Sequence, residues 1–473
     1  MEKLNSYTGT LTYRGIAFFF AFDGKELRLF SSAENLDKVQ HTILMEKIGD
    51  TSIYTMAFPT MEKPYLIGKC NETSQTIIFL TKKDTYIGTY NEVLFVKIVA
   101  YILFEADAQP ISKVSFKCPE LNYIHPISQG YSWSFEDEQL HHGIVSVQTE
   151  NFDATTTAPK TFQLDGKEIS VNFEVARSFS RKLNQPPLAF HSTMSFRFKP
   201  IEEYTFIAEL WSVAKEFLQF MCYRKNVFLP EADLSTPTAE DKTRNCATFY
   251  MIDEIGNEEP ETLQNGRYIK LAYLSGKEGL IMNDIVSRRL YTRHIPDTYS
   301  SGCHINAARF IMITSAFEWE FKRLYPDGVR KTEKTLAVEN KAVEEIQKLI
   351  ENSSGELKHK FKFLQKRISD TSLQSEIIHV GNELGDILNV FGQKLYSLND
   401  TKLIYSEMGN RLADQRNNYA HGNLDIDFIN RSLIDLIYTE RIIYAMQLKL
   451  YGIETKNIQK AINELFQCRF FIC

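Results

Sequence analysis

One short string in the chain collects residue types suited to moving a proton beside a phosphate: Arg416-Asn417-Asn418-Tyr419-Ala420-His421-Gly422. A guanidinium grips phosphate oxygens with paired N–H donors. An imidazole, which titrates near neutrality, can take the proton of an RNA 2′-OH. That combination suits metal-independent cleavage of RNA with the 2′-OH itself as nucleophile. The spacing predicts a helix over Lys402 to Tyr419, with Gly422 as a left-handed stop just past its end. Asn417 and His421 are four residues apart and face the same way on such a helix, where the Asn amide can fix the imidazole tautomer. Arg416 lies about 140° from His421 around the axis. The two meet on one phosphate only if the helix ends or loosens near Tyr419, or if a second chain completes the site. The same residues also fit a plainer arrangement, with Arg416 on a surface carboxylate such as Asp414 or Asp425 and His421 capping a helix end.

The elements that must carry this string lie in the last third of the chain. From Asn306 onward each long segment has helical periodicity. Phe310, Ile313, Phe317, Phe321 and Leu324 form one stripe, stopped by Tyr325-Pro326-Asp327-Gly328. Leu336 to Glu351 is a second helix, and Leu373 to Leu398 a long third one interrupted by Gly381, Gly385 and Gly392. Lys402 to Tyr419 is a fourth, and Phe428 to Tyr451, apolar almost all round, is the expected buried centre of an all-α bundle. The apolar end Phe470-Phe471-Ile472-Cys473 is expected to dock on that bundle or on a partner chain.

The first 200 residues read as sheet. Period-2 alternation and turn dipeptides predict strands at Ile16–Phe22, Lys25–Phe30, Ser52–Phe58, Thr76–Leu80, Val114–Phe116, Gly143–Gln148 and Met194–Phe198. Asp23-Gly24 and Asp165-Gly166 supply the two positive-φ positions of type I′ hairpin turns. The fold class is therefore α+β and multidomain: a β-rich part, sandwich or barrel-like, over 1–200, a mixed connector over 201–299 that can belong to the first part, and a helical bundle over 300–473. Within the connector, Phe206, Leu210, Val213, Phe217 and Phe220 describe one helical face, and Ala247–Ile252 one strand.

The whole chain has 473 residues, with 54 Lys+Arg against 60 Asp+Glu and a net charge of -6. That balance excludes a protein basic all over, as many constitutive nucleic-acid binders are, but not a local basic patch. Two such patches exist. Lys358, Lys360, Lys362, Lys366 and Arg367 interleave with Phe361 and Phe363, and Arg288, Arg289 and Arg293 surround Tyr291. The cations can neutralise RNA phosphates and exposed rings can stack on bases; the phenylalanines also fit a core with the lysines as its solvated rim. Seven Cys without a CxxC pair fit neither a disulfide framework nor a zinc site and point to a reducing, cytoplasmic setting. Of His41, His125, His141, His142 and His191, only the adjacent pair approaches ligand spacing, and neighbours on a strand point to opposite faces. No metal and no cofactor are expected. The start of the chain lacks the pattern of a secretory signal, and the most apolar run, Val93 to Phe104, is shorter than the roughly 20 apolar residues a membrane span needs. Ser275-Gly276-Lys277 lacks the glycine spacing of a phosphate loop, and no Gly-x-Ser-x-Gly or His-Glu-x-x-His is present.

Arg416-Asn417-x-x-x-His421 at the end of a bundle helix, followed by one more apolar helix, resembles the signature of the HEPN superfamily. Ala307–Phe321, with Glu318 and Glu320, is similar to the first helix of such bundles, which often carries a Glu. The β-rich part ahead of the bundle resembles the architecture of ApeA-type bacterial anti-phage proteins. The resemblance is specific over about 300–455 and architectural over 1–290. It implies a metal-independent endoribonuclease of antiviral defence and abortive infection that leaves a 2′,3′-cyclic phosphate and a 5′-OH. Two motifs would meet in one cleft of a homodimer. It further implies that His421 transfers the proton, Arg416 holds the scissile phosphate, Asn417 orients the pair, and Glu318 or Glu320 supports them. By the same analogy the target is RNA, with tRNA as a candidate, and the β-rich part senses a phage-derived or cellular trigger. The competing expectation is a non-catalytic RNA- or nucleotide-binding scaffold built on the same bundle.

Overall fold

Alternation at period two builds the first part of the molecule, and period 3.6 the second. A computed structural model describes residues 6–39, 44–47, 54–57, 64–81, 87–90, 93–134, 146–238, 242–252, 266–329, 333–368, 371–423, 428 and 431–470. The chain divides into two compact units, residues 1–258 with 278–287, and residues 259–277 with 288–473. The stretch 201–299 is thus shared out. Its helix and strands complete the first unit, while 259–277 and the chain beyond Ser287 fold with the helices.

In the first unit the strands are β1 Tyr7–Tyr13, β2 Ile16–Phe22, β3 Glu26–Phe30, β4 Leu44–Lys47, β5 Tyr54–Ala57, β6 Tyr65–Cys70, β7 Thr76–Thr81, β8 Ile87–Tyr90, β9 Val93–Phe104 and β10 Ile111–Phe116. They continue as β11 Tyr131–Ser134, β12 Ser146–Thr149, β13 Lys160–Leu164, β14 Lys167–Phe179, β15 Leu188–Ile201, β16 Glu231–Pro237 and β17 Thr243–Met251. The order β9-β3-β2-β1-β6-β7 closes on itself because β7 also pairs with β9, which makes a six-stranded antiparallel barrel. Leu11, Phe20, Phe22, Leu27, Phe79 and Tyr101 fill it. Phe22 stands edge-on to Phe79 at 5.2 Å and to Tyr101 at 5.0 Å, the favoured geometry for packed rings. β9 outruns β3, which covers only Val93–Lys97, and Ala100–Phe104, already paired with β7 through Ala100–Leu103, also pair with β17. From there a second sheet follows in the order β17-β16-β10-β15-β14-β13. The helix predicted on Phe206 to Phe220 spans Thr205–Cys222 and packs that stripe under the sheet, with Phe217 against Phe173 and Phe206 against Phe198.

The turn at Asp165-Gly166 has both residues at positive φ, as does an Arg14-Gly15 turn joining β1 to β2. The Asp23-Gly24 turn differs from expectation. Only Gly24 has positive φ, and Asp23 instead accepts the Glu26 and Lys25 backbone N–H groups at 2.8 and 3.0 Å, which hold its carboxyl below the usual range. Of the expected strands, 52–53 and 58 and 143–145 lie outside the described residues, as do His41, His141 and His142.

The second unit is helical. In chain order the helices are α1 Ala33–Val39, α2 Leu121–Ile124, α3 Thr205–Cys222 and α4 Glu278–Val286 in the first unit, then α5 Tyr299–Gly302, α6 Ala307–Leu324, α7 Glu333–Glu351, α8 Gly355–Arg367, α9 Leu373–Glu383, α10 Gly385–Ser397, α11 Tyr405–Ala420, α12 Ser432–Leu450 and α13 Thr455–Leu465. The expected bundle of five helices is corrected in three places. Leu373 to Leu398 is two helices, because the chain leaves helical geometry at Leu384 (φ -109°, ψ 19°), whose buried side chain anchors the bend ahead of Gly385. The basic segment after Ser354 is itself helix α8. α13 is a further helix, with Ile458, Ala461, Ile462 and Leu465 buried along one face. α12 is the buried centre, with Tyr438, Ile442, Ile443, Tyr444, Ala445 and Met446 all inaccessible to solvent. Phe470 docks on the bundle, its ring 5.5 Å from Phe391 and its backbone tied to the Asn463 amide.

Candidate functional site

The apolar and amide residues of α11 fix where its reactive groups point. Met408, Leu412, Gln415 and Tyr419, spaced four, three and four, are buried, and the Tyr419 ring stands edge-on to Phe310 of α6 at 5.4 Å. Asn417 and His421 each lie two residues past a member of this stripe, about 200° around the helix, and are exposed. Arg416 falls on the flank between core and solvent. There its Nη1 donates to Glu318 Oε1 of α6 at 2.5 Å, the two side chains 36% and 23% exposed. Neither Asp414 nor a neighbour on its own helix takes this role, and Asp425 lies outside the described residues.

The helix stops as the sequence predicts. His421 is its C-cap and Gly422 adopts φ +86°. The Gly422 N–H reaches the Tyr419 carbonyl at 3.1 Å and the Asn423 N–H the Asn418 carbonyl at 3.2 Å, a Schellman closure. It leaves the imidazole at the tip of the helix. No hydrogen bond among the described residues joins the Asn417 amide to the His421 ring, so the expected tautomer lock is not made in this chain.

Neighbouring helices hold α11 at its other end as well. Arg411 donates through Nε and Nη2 to both oxygens of Asp435 on α12, at 2.7 and 2.9 Å, and the Tyr396 hydroxyl of α10 donates to the same fully buried carboxylate. Burial and that neighbouring carboxylate push the Tyr396 hydroxyl far above its ordinary range. On the other side Gly381 of α9 faces the Tyr405 ring so closely that a Cβ there would stand 2.5 Å from it.

Glu318 and Glu320, two apart on α6, part company. Glu320 is 1% exposed and turned inward, accepting the Tyr291 backbone N–H at 2.9 Å, Gln447 at 3.1 Å and Arg323 at 2.5 Å. Burial pushes its carboxyl up, against Arg323, and nothing brings it to Arg416.

A further carboxylate takes its place. Glu376 on α9 is 3% exposed. Burial pushes its carboxyl above the usual range and the Glu318 charge adds to this, while the Thr371 hydrogen bond, Lys322 and Arg416 oppose it. Periodicity could have found it: Leu373, Ile377 and Val380 make an apolar stripe, and Glu376 is the acid within it.

The basic clusters are on the surface. Lys360, Lys362 and Lys366 of α8 are exposed, Lys358 is half-buried, and Phe363 is 54% exposed, so that ring is not core. Arg367 closes the helix. Arg288, Arg289 and Arg293 are exposed on an irregular segment. This segment lies along α6, since the Arg289 carbonyl accepts the Trp319 indole N–H at 2.6 Å. Among the described residues no three His, Cys, Asp or Glu side chains converge as metal ligands, and no helix is long and apolar enough to cross a membrane.

The arrangement offers an anion-binding guanidinium steadied by one carboxylate and an accessible imidazole at a rigidly stopped helix end. They sit on different sides of one helix. In comparisons with protein-family models, with curated proteins and with solved structures, nothing matches this chain.

Proposed function

We propose that the helical unit is a metal-independent endoribonuclease of the HEPN type. In this reading His421 takes the proton of an RNA 2′-OH, the 2′-oxygen attacks phosphorus, and Arg416 stabilises the charge that builds on the phosphoryl oxygens. The 5′-oxygen leaves with a proton, giving a 2′,3′-cyclic phosphate and a 5′-OH. The observation that carries the reading is the held Arg416 and exposed His421 at the Schellman-stopped end of α11. Because the two groups diverge around the helix, the cleft is composed of two copies in a homodimer, the Arg416 of one facing the His421 of the other. Lys358, Lys360, Lys362, Lys366, Arg288, Arg289 and Arg293 hold the RNA, tRNA among the candidates. The cell role is that of a cytoplasmic anti-phage effector, with the barrel unit answering a phage-derived or cellular trigger.

The test is incubation of the full chain with total cellular RNA in EDTA, beside His421→Ala and Arg416→Ala. Cleavage by wild type to 2′,3′-cyclic phosphate ends, lost by at least about a hundredfold in both variants, is the expected result. The exposed Phe363 among lysines favours a second reading, an RNA-binding scaffold. RNA retained but uncut, with overexpression equally harmless for wild type and His421→Ala, would establish that one instead.

A further inference from the structure

The Arg416–Glu318 pair has a third ionisable neighbour whose surroundings are unusual. α9 turns Leu373, Glu376, Ile377 and Val380 toward the helices around it, and Glu376 is the acid on that face. Its Oε1 accepts the Thr371 hydroxyl at 2.7 Å, and its Oε2 is buried with no hydrogen-bond partner among the described residues. Burying a carboxylate oxygen without a donor disfavours the ionised form. Of the three helices packed against α9, namely α6, α10 and α11, two supply the charged groups acting on it: Glu318 and Lys322 on α6, and Arg416 on α11.

We propose that Glu376 is a positioning residue for Arg416, its proton deciding whether the guanidinium is free to bind an oxyanion. Neutral, Glu376 leaves Arg416 with Glu318 as its carboxylate partner, and the remaining N–H donors of a partly exposed guanidinium are available to a phosphate or sulfate. Ionised, the buried Glu376 adds a second negative charge that acts on the same guanidinium and opposes any incoming anion. The alkaline limb of anion binding then belongs to Glu376. The link to catalysis rests on the nuclease reading above; the binding of an oxyanion at Arg416 does not.

Sulfate, whose charge is constant from mildly acidic to mildly alkaline pH, is the probe. Calorimetric titration of the full chain across that range, with Arg416→Ala to subtract binding elsewhere, isolates the Arg416 contribution. Wild type is expected to lose affinity severalfold as pH rises, while Glu376→Gln keeps its acidic-pH affinity throughout. Any other titrating group, His421 included, is common to both chains. Thr371→Val removes a hydrogen bond that favours the carboxylate, so it shifts the wild-type midpoint to higher pH and carries the test if Glu376→Gln does not fold. An Arg416-dependent affinity that ignores pH, a Glu376→Gln profile identical to wild type, or no Arg416-dependent binding at all overturns the proposal. RNA cleavage assayed on the same chains fails separately if the nuclease reading is wrong.

Discussion

Arg411→Met is the sharpest test of how α11 is held, and its size follows from burial. Asp435 has no solvent exposure and the Arg411 side chain has 17%. The value for exposed pairs, about 0.2–1 kcal/mol, therefore does not apply. Methionine fills much the same volume but leaves Asp435 with Tyr396 as its remaining hydroxyl donor and no positive partner. Removing one member of a buried pair costs about 3–5 kcal/mol, because the other charge stays behind. Adding Asp435→Asn removes that stranded charge, and the double variant should regain most of the loss, leaving about 1–3 kcal/mol for unsatisfied polar atoms. Hydrogen exchange of peptides covering 405–420 and 432–450 in the full chain reads the opening free energy of these two helices directly. A loss below about 1 kcal/mol in Arg411→Met would show the pair to be surface-like. A double variant no better than the single would show that the cost is lost packing. Either result refutes the reasoning.

Two further outcomes follow from local geometry. Gly422→Ala puts a Cβ at φ +86° in open space, so the cost is backbone strain alone, about 1 kcal/mol, seen as faster exchange in the last turn of α11 and, on the proposed nuclease reading, as slower RNA cleavage. Burial, then the hydrogen bond and charge of Asp165, push the Glu209 carboxyl up to about 7. An acid whose folded pKa is raised holds its proton in the folded chain while the unfolded chain has released it. Stability of the first unit should therefore fall as pH rises from the ordinary Glu range, near 4.5, to about 7. Glu209→Gln should flatten that slope in thermal unfolding, and an unchanged slope would assign it to other groups.

Local patterns were legible in the sequence and pairings across the chain were not. Ile16–Phe22 and Phe206 to Phe220 could be read because each carries its period in a run of apolar residues. β1, Tyr-Thr-Gly-Thr-Leu-Thr-Tyr, escaped because Gly9 interrupts the buried face of Tyr7, Leu11 and Tyr13. Closure of the barrel through β7 on β9 is a non-local event with no local mark. The break at Leu384 had a local mark in Gly385, one of three glycines in the segment, but nothing local chose which of them would end the helix.

The site divides in the same way. The stop at Gly422 was written in one residue, but the partner of Arg416 lies 98 positions away on another helix, and spacing could offer only its neighbours Asp414 and Asp425. What the fold adds is a restriction. The stripe Met408, Leu412, Gln415 and Tyr419 must stay buried for α11 to pack, and this fixes His421 on the solvent side and Arg416 on the flank. Rotating the helix turns both groups together and leaves the angle of about 140° between them unchanged. On the proposed reading a nuclease built on this helix would act as two copies, and its specific cleavage rate should rise with protein concentration through the dimerisation range. An equal rate per chain from a population shown by sedimentation to be monomeric would rule that geometry out.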